Sequence, residues 1–372
     1  MTPSPSPPLL RLTAWSVLSA YGHGSEPFRA GVLTRTHPDG PDDPYPSYSA
    51  TSASSYGAVP IPGQRARLVP GFDPREVLGR KGTRTMDRVT GLAVATVGHL
   101  VRDEDRGART ALVLGTTTGS AQSIMDLTRA SLTGERPFDV EPATIPSSVM
   151  NCAAAQCAIW HRLEGPNATL ACGQTSGLFA LGYARRLLIA GRADAVICGA
   201  AEEYSYSRAW LEQLSRPMSG VAIDTVMLGE GAAALRLTFD PGPAESVLAT
   251  VLAVDSGYAA PEASVENAVR RVVHRALERA GIEDSREVWA ALPSGLSPAE
   301  HSTLLDLFGA AAVDRLPAPG ELLGDTGAAT AAFQIAVALA VAPEAPGRVV
   351  VLSCTDPDGT VAAAVLRLGK ES

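Results

Sequence analysis

Two stretches of this chain, about 150 residues apart, carry the same succession of signals. Ser176-Gly177 opens a small-residue helix, Gly191-Arg192 precedes an apolar strand ending at Cys198, and AAALRL (232–237) reads as a further strand. Thr326-Gly327 opens another Ala-rich helix, Gly347-Arg348 precedes VVVLSC ending at Cys354, and AAVLRL (363–368) follows. The helix openings lie 150 residues apart and the Gly-Arg pairs 156 apart. An α/β unit used twice accounts for this, and alternating strands and helices imply a largely parallel sheet in each half. The chain is therefore expected to divide into an N-terminal half over 9–245 and a C-terminal half over 246–372. A Pro- and Ser-rich tail, residues 1–8, is expected to be disordered.

Composition excludes several classes. At 372 residues and 45% hydrophobic content the chain can bury a large core. Its net charge of −8 and scarcity of aromatics argue against a nucleic-acid or anionic-membrane surface. No apolar run approaches the roughly 20 residues that cross a bilayer, and MTPSPSPPLL does not read as a secretory signal. The five cysteines form no C-x-x-C pair. A reduced, cytoplasmic protein with mostly buried thiols, no metal and no cofactor is the expectation.

Along the chain, residues 9–20 read as a first strand, followed by a glycine turn at Tyr21–Gly24. The stretch 37–63 is full of turn residues and is expected to be a long surface excursion, mobile or facing a partner. Helical patterns cover 86–101, 120–132, 146–162 and 175–190. Strands are expected at 109–119, 168–172 and 194–200, the last apolar enough to be covered on both faces. VLATVLAVDSGYA opens the second half, and the helix after it aligns Val265, Ala268, Val272 and Ala276 on one side.

A helix that starts at the end of a short strand, crowded by Gly and Ser, is a natural seat for a nucleophile. Its free N–H groups and positive dipole end stabilise a thiolate and then an oxyanion. In LACGQTSGLFALGYA the residue at that mouth is Gln174.

Here the chain resembles the β-ketoacyl synthases of the thiolase superfamily over nearly its whole length. GFDPREVLGRKGTRTMDRVTGLA (71–93) follows a long, specific family segment, and LEGPNATLAC, GRADAVICGAAEE and LGEGAAALRL follow in family order. The resemblance implies a thiolase-like fold: duplicated βαβαβαββ halves in a five-layered αβαβα architecture. It also implies what is missing. Gln174 stands where the family has its cysteine, and a carboxamide forms no thioester. Cys172, two residues early on the strand, is the competing candidate and is read as structural. Ser294 and Gly324 stand at the positions of the two family histidines, with His301 read as a surface residue. No His or Lys occurs from Ser302 to Gly369, so the family lysine is absent too. The Phe-containing gating loop becomes SCTDPDGT (353–360), with Asp356 and Asp358.

That pattern resembles the chain length factors of type II polyketide synthases, and two functions follow from it. One is a non-catalytic subunit, paired with a cysteine-bearing ketosynthase, that sets the length of a polyketide or polyene; an acyl carrier protein would dock mainly on the partner. The interface would involve Met150, Gln156, Ala168, Thr169 and Leu170, with β-strand pairing across it. Gln122, Met125, Asp126 and Arg129, sharing a helix face, would line the chain tunnel. The other is a decarboxylase acting on malonyl carrier protein. A stand-alone homodimeric scaffold is a third reading. The short chain and Gly-Asp-Thr-Gly (324–327) lean towards polyene pathways.

Overall fold

The computed structural model describes residues 9–38, 66–107, 109–219, 227–242, 245–260 and 263–369. The tail 1–8 and positions 39–63 of the long excursion lie outside the described residues. Twelve strands are present among them: β1 (Leu10–Ser19), β2 (Gly22–His23), β3 (Ala66–Arg67), β4 (Thr110–Gly115), β5 (Asn167–Leu170), β6 (Ala195–Glu202), β7 (Leu228–Gly229), β8 (Gly231–Thr238), β9 (Ala249–Tyr258), β10 (Val288–Leu292), β11 (Val349–Thr355) and β12 (Thr360–Leu368). Ten of them form one sheet: nine follow the order β10-β11-β12-β9-β1-β8-β6-β4-β5, and β2 is attached to β1. β3 and β7 make a small parallel ladder.

Antiparallel pairing of β1 with β9, Leu10 opposite Val251 and Leu12 opposite Ala249, joins the two halves edge to edge. Each half then folds over the same pair of helices. Ser176–Ile189 and Thr330–Ala340 lie in the middle, sharing one core with inward residues of both halves, among them Val113, Val196, Val350 and Ala364. Every residue of Thr330–Ala340 is buried, which is why that helix has no polar face. Gly327–Glu344 is apolar and long enough to span a bilayer, but 89% of it is buried inside this core. On the outer side of the first half, Arg88–Gly98 and Cys152–His161 pack over Leu112, Leu114 and Ile197. On the outer side of the second, Val265–Ala280 packs over Val351, Ala363 and Val365. Helices, sheet, helices, sheet, helices make the five layers.

Local chemistry explains where these elements start and stop. Asp87 accepts from Thr90 N at 2.8 Å and Ser120 from Ser123 N at 3.1 Å, capping two helices. Ser264 caps Val265–Ala280, which Gly281 closes at φ 69°. Ala268, Val272 and Ala276 face the core as expected, with Val265 only partly covered.

Three expectations are corrected. The helix over 146–162 begins only at Cys152, because Pro142–Ser148 is a 3-10 segment containing Pro146 and Val149 is extended. The strand expected over 168–172 ends at Leu170, and Cys172 sits at the turn instead, its N–H donating to Ser176 Oγ at 3.0 Å. The repeat is also shifted. Gly327 matches Gly173, not Gly177: each opens a 3-10 turn, at φ 50° and 53°, ahead of a central helix. Small-residue dipeptides occur in both turn and helix, so they misregister easily.

Candidate functional site

Gln174 sits in the 3-10 turn Gly173–Thr175 at the mouth of the central helix Ser176–Ile189 and is 9% exposed. Its backbone N–H donates to Asp356 Oδ1 at 2.7 Å. Its side-chain amide reaches Asp325 Oδ2 at 3.4 Å, a long contact, and its carbonyl faces the Cys354 thiol at 3.4 Å. Asp325 is pinned in turn: its Oδ1 accepts from Gly327 N at 2.8 Å and its carbonyl accepts from the buried Arg208 at 2.9 Å.

Gly324 precedes Asp325 at φ 74°, and a Cβ there would strike the carbonyl of Met227. That position admits no side chain of any kind. Ser294 is fully buried at the end of β10, where its N–H donates to Glu300 Oε2 at 3.2 Å and its hydroxyl to the same oxygen. Gln334 links this corner to the first, donating to Leu292 O at 3.1 Å and to Ser353 O at 2.6 Å, next to Cys354. Gln174, Ser294 and Gly324, scattered along the sequence, thus converge on one buried polar cluster.

The cluster is rich in carboxyl groups that burial perturbs. Burial pushes the carboxyl of Glu300 up to about 8 and that of Asp356 to about 6, the latter helped by Asp358 and opposed by the Gln174 N–H. Burial and the neighbouring Glu300, Asp356 and Asp325 carboxyls hold the Cys354 thiol far above its ordinary range. Cys172 is also raised, first by burial and then by Asp358 and Asp356. A thiolate is disfavoured throughout. Arg208 is committed to the carbonyls of Glu203, Gly229 and Asp325. No group of three or more metal-ligating side chains is found among the described residues.

Sequence reasoning missed Asp325 and Glu300 and did not foresee the bond made by Asp356. Gly173 carried the available signal. Its φ of 53° and a Cβ that would collide with the Asp356 carboxylate require glycine. Gly173→Ala is expected to destabilise the fold by about 1–3 kcal/mol; an unchanged urea midpoint would contradict this packing.

The other expected site residues lie elsewhere. Gln122 is buried on the helix Ala121–Thr133, accepting from Ser207 N at 3.2 Å and donating to Asp126 at 3.0 Å. Met125 and Asp126 are exposed, and Arg129 lies 3.5 Å from Asp126. Gln122 turns inward, Met125 and Asp126 face outward, and Arg129 is half-buried between them. Ala168, Thr169 and Leu170 belong to β5, the edge strand; Gln156 lies on the helix Cys152–His161 that packs beside it, and Met150 is exposed against Gly119. His301 is half-buried in the helix Pro298–Phe308.

A family model for the N-terminal domain of β-ketoacyl synthases matches residues 52–238. The solved ishigamide ketosynthase/chain length factor superposes with a TM-score of 0.86 at 38% identity, covering 97% of this chain and 99% of that one. This chain belongs to the β-ketoacyl synthase family. Within that family it is of the ketosynthase/chain length factor kind, and its five layers are the family's thiolase-like fold. The 3-oxoacyl-(acyl-carrier-protein) synthase 2 of Vibrio cholerae is 30% identical over 146 residues, 38% of this chain and 35% of that protein. A granaticin polyketide putative β-ketoacyl synthase 1 from Streptomyces violaceoruber is 34% identical over 143 residues, 36% of this chain and 32% of that protein. The matched stretch spans only about a third of the length of either curated relative.

Proposed function

We propose that this chain is the non-catalytic, chain-length-setting subunit of a type II polyketide synthase, working as a heterodimer with a cysteine-bearing ketosynthase. The observation that carries the reading is the helix mouth. Gln174 stands there against Asp325 and Asp356, and the resemblance sets Ser294 and Gly324 at the histidine positions. A carboxamide forms no thioester, and an acidic pocket opposes a thiolate, a malonyl carboxylate and an enolate alike. The halves divide near Ser246.

The partner surface in this reading is the free edge of β5. Pro166 and Leu170 carbonyls accept from Leu112 N at 2.8 Å and Thr116 N at 2.9 Å. Alternation along a parallel strand therefore turns the backbone groups of Asn167 and Thr169 outward, open to a second strand. Ile159 (70% exposed), on the helix Cys152–His161 that packs beside β5, adds apolar surface there, as an obligate interface needs. An acyl carrier protein would deliver the chain mainly to the partner. Met125, Asp126 and Arg129 would meet the growing chain, with Gln122 holding their helix in place.

The co-expressed pair tests the proposal. Gln174→Ala is expected to leave product length unchanged, whereas Met125→Trp is expected to shorten the product by at least about one extension unit, read by mass spectrometry. The chain alone, given malonyl carrier protein, is expected to release no carbon dioxide. Carbon dioxide release, or an acyl group bound covalently to this chain, would overturn the reading.

A further inference from the structure

The two central helices exchange carboxylates. At the mouth of the first, Gln174 N–H donates to Asp356 Oδ1 at 2.7 Å, and Asp356 directly follows β11 of the second half. At the mouth of the second, Ala328 N–H donates to Glu202 Oε2 at 3.3 Å, and Glu202 is the last residue of β6 in the first half. Gly173 precedes the first donor and Gly327 the second, and both have positive φ. A Cβ on Gly173 would collide with Asp356, and one on Gly327 would come within 2.9 Å of Glu202. From Gly173 to Gly327, and from Glu202 to Asp356, the offset is the same 154 residues. Each half's strand end therefore seals the other half's helix mouth with a carboxyl group.

We propose that Asp356 is a built-in plug: its carboxylate holds the helix-mouth N–H that an incoming acyl oxygen would need, so the pocket is closed to acyl chemistry independently of the missing thiol. This rests on the reading of Gln174 as the vacated nucleophile position and goes one step further. Losing a sulfur removes the nucleophile. Filling the mouth with a carboxylate also removes the donor that stabilises an oxyanion and sets a negative charge against any thiolate formed there.

The plug is well held. Asp356 Oδ2 accepts from Asp358 N at 3.2 Å, Thr360 N donates to Asp358 Oδ1 at 2.7 Å, and Gly359 N donates to the Asp356 carbonyl at 2.9 Å. This tight turn at the β11–β12 connection keeps the carboxylate aimed at Gln174. Glu202 is locked in the same manner by the Thr117 hydroxyl. The second-half mouth, where Ala328 stands, has no place for a nucleophile, so its cap is purely structural. Asp356 gives the first mouth the same finish.

Restoring a thiol separates the two losses. The full chain carrying Q174C is treated with iodoacetamide at pH 7.5, and alkylation is followed by fragment-ion mass spectrometry of the peptide spanning 172–174. Cys172 in that peptide is the internal reference. Q174C alone is expected to react slowly, and adding D356S to raise its rate at least about tenfold, the change one pKa unit makes in thiolate fraction. Because D356S also loosens the turn, D356N is run beside it; loss of the charge alone is expected to raise the rate severalfold. Equal rates for Q174C and for both double variants, all with wild-type circular dichroism, would overturn the plug. Covalent acylation of the unmodified chain would instead overturn the non-catalytic reading and leave the alkylation result standing.

Discussion

Glu300→Gln is expected to stabilise the protein by about 3–5 kcal/mol at pH 9 while changing little at pH 4.5. Glu300 is 0% exposed, and burial raises its carboxyl to about 8 from an ordinary 4.5. Its Oε2 accepts from both the N–H and the hydroxyl of Ser294. Its other oxygen, like the hydroxyl of Ser353, has no hydrogen-bond partner of good geometry. The folded state holds the proton more tightly than the unfolded one. Protonation therefore favours folding, and this group's contribution is lost as pH rises from 4.5 to 8, at about 1.4 kcal/mol per pH unit. A glutamine keeps the acceptor for Ser294, offers an N–H to the Ser353 side, and has no charge to desolvate. Burial also raises Glu202, Glu203 and Asp87, but these act equally in both proteins. The difference between the two pH profiles isolates Glu300. Urea midpoints that run parallel from pH 4.5 to 9 would show that no desolvated carboxyl sits there.

Thr169→Pro is expected to abolish co-purification with the ketosynthase partner, weakening association at least about 100-fold, or about 2.7 kcal/mol. Proline removes one backbone donor, and at position 169 that donor points away from β4. The ladder of β5 with β4 runs through the carbonyls of Pro166 and Leu170 and survives. A second strand approaching the free edge would find its central bond gone. Size-exclusion chromatography of the co-expressed pair reads the outcome, with circular dichroism of the variant as the control for folding. A Thr169→Pro chain that still elutes with its partner would move the interface away from β5.

Much of the architecture is written in local patterns. The apolar runs of β4, β6 and β11 are buried on both faces, as their composition requires. The one-sided pattern of Val265–Ala280 puts Ala268, Val272 and Ala276 on the core. Sequence reasoning misplaced boundaries, where Pro146 delayed a helix to Cys152 and Cys172 fell outside the strand, and it expected largely parallel sheets where β8 and β12 pair antiparallel with both neighbours. The residues of the helix Ala121–Thr133 divided for a similar reason. Spacing aligned Gln122 with Met125, but spacing carries no information about Ser207, which draws Gln122 inward.

The sequence alone determined a duplicated α/β chain of the ketosynthase kind, and its resemblance to the family pointed to Gln174, Ser294 and Gly324 as the expected places of the family's cysteine and histidines. Only the tertiary structure decided what fills those places. Gln174 meets Asp356 across 182 residues and Asp325 across 151. Periodicity and spacing report what neighbouring residues do together, whereas these contacts arise when the second half closes over the first. The cross-capping of the helix mouths, and the acidity of the pocket, come from that closure.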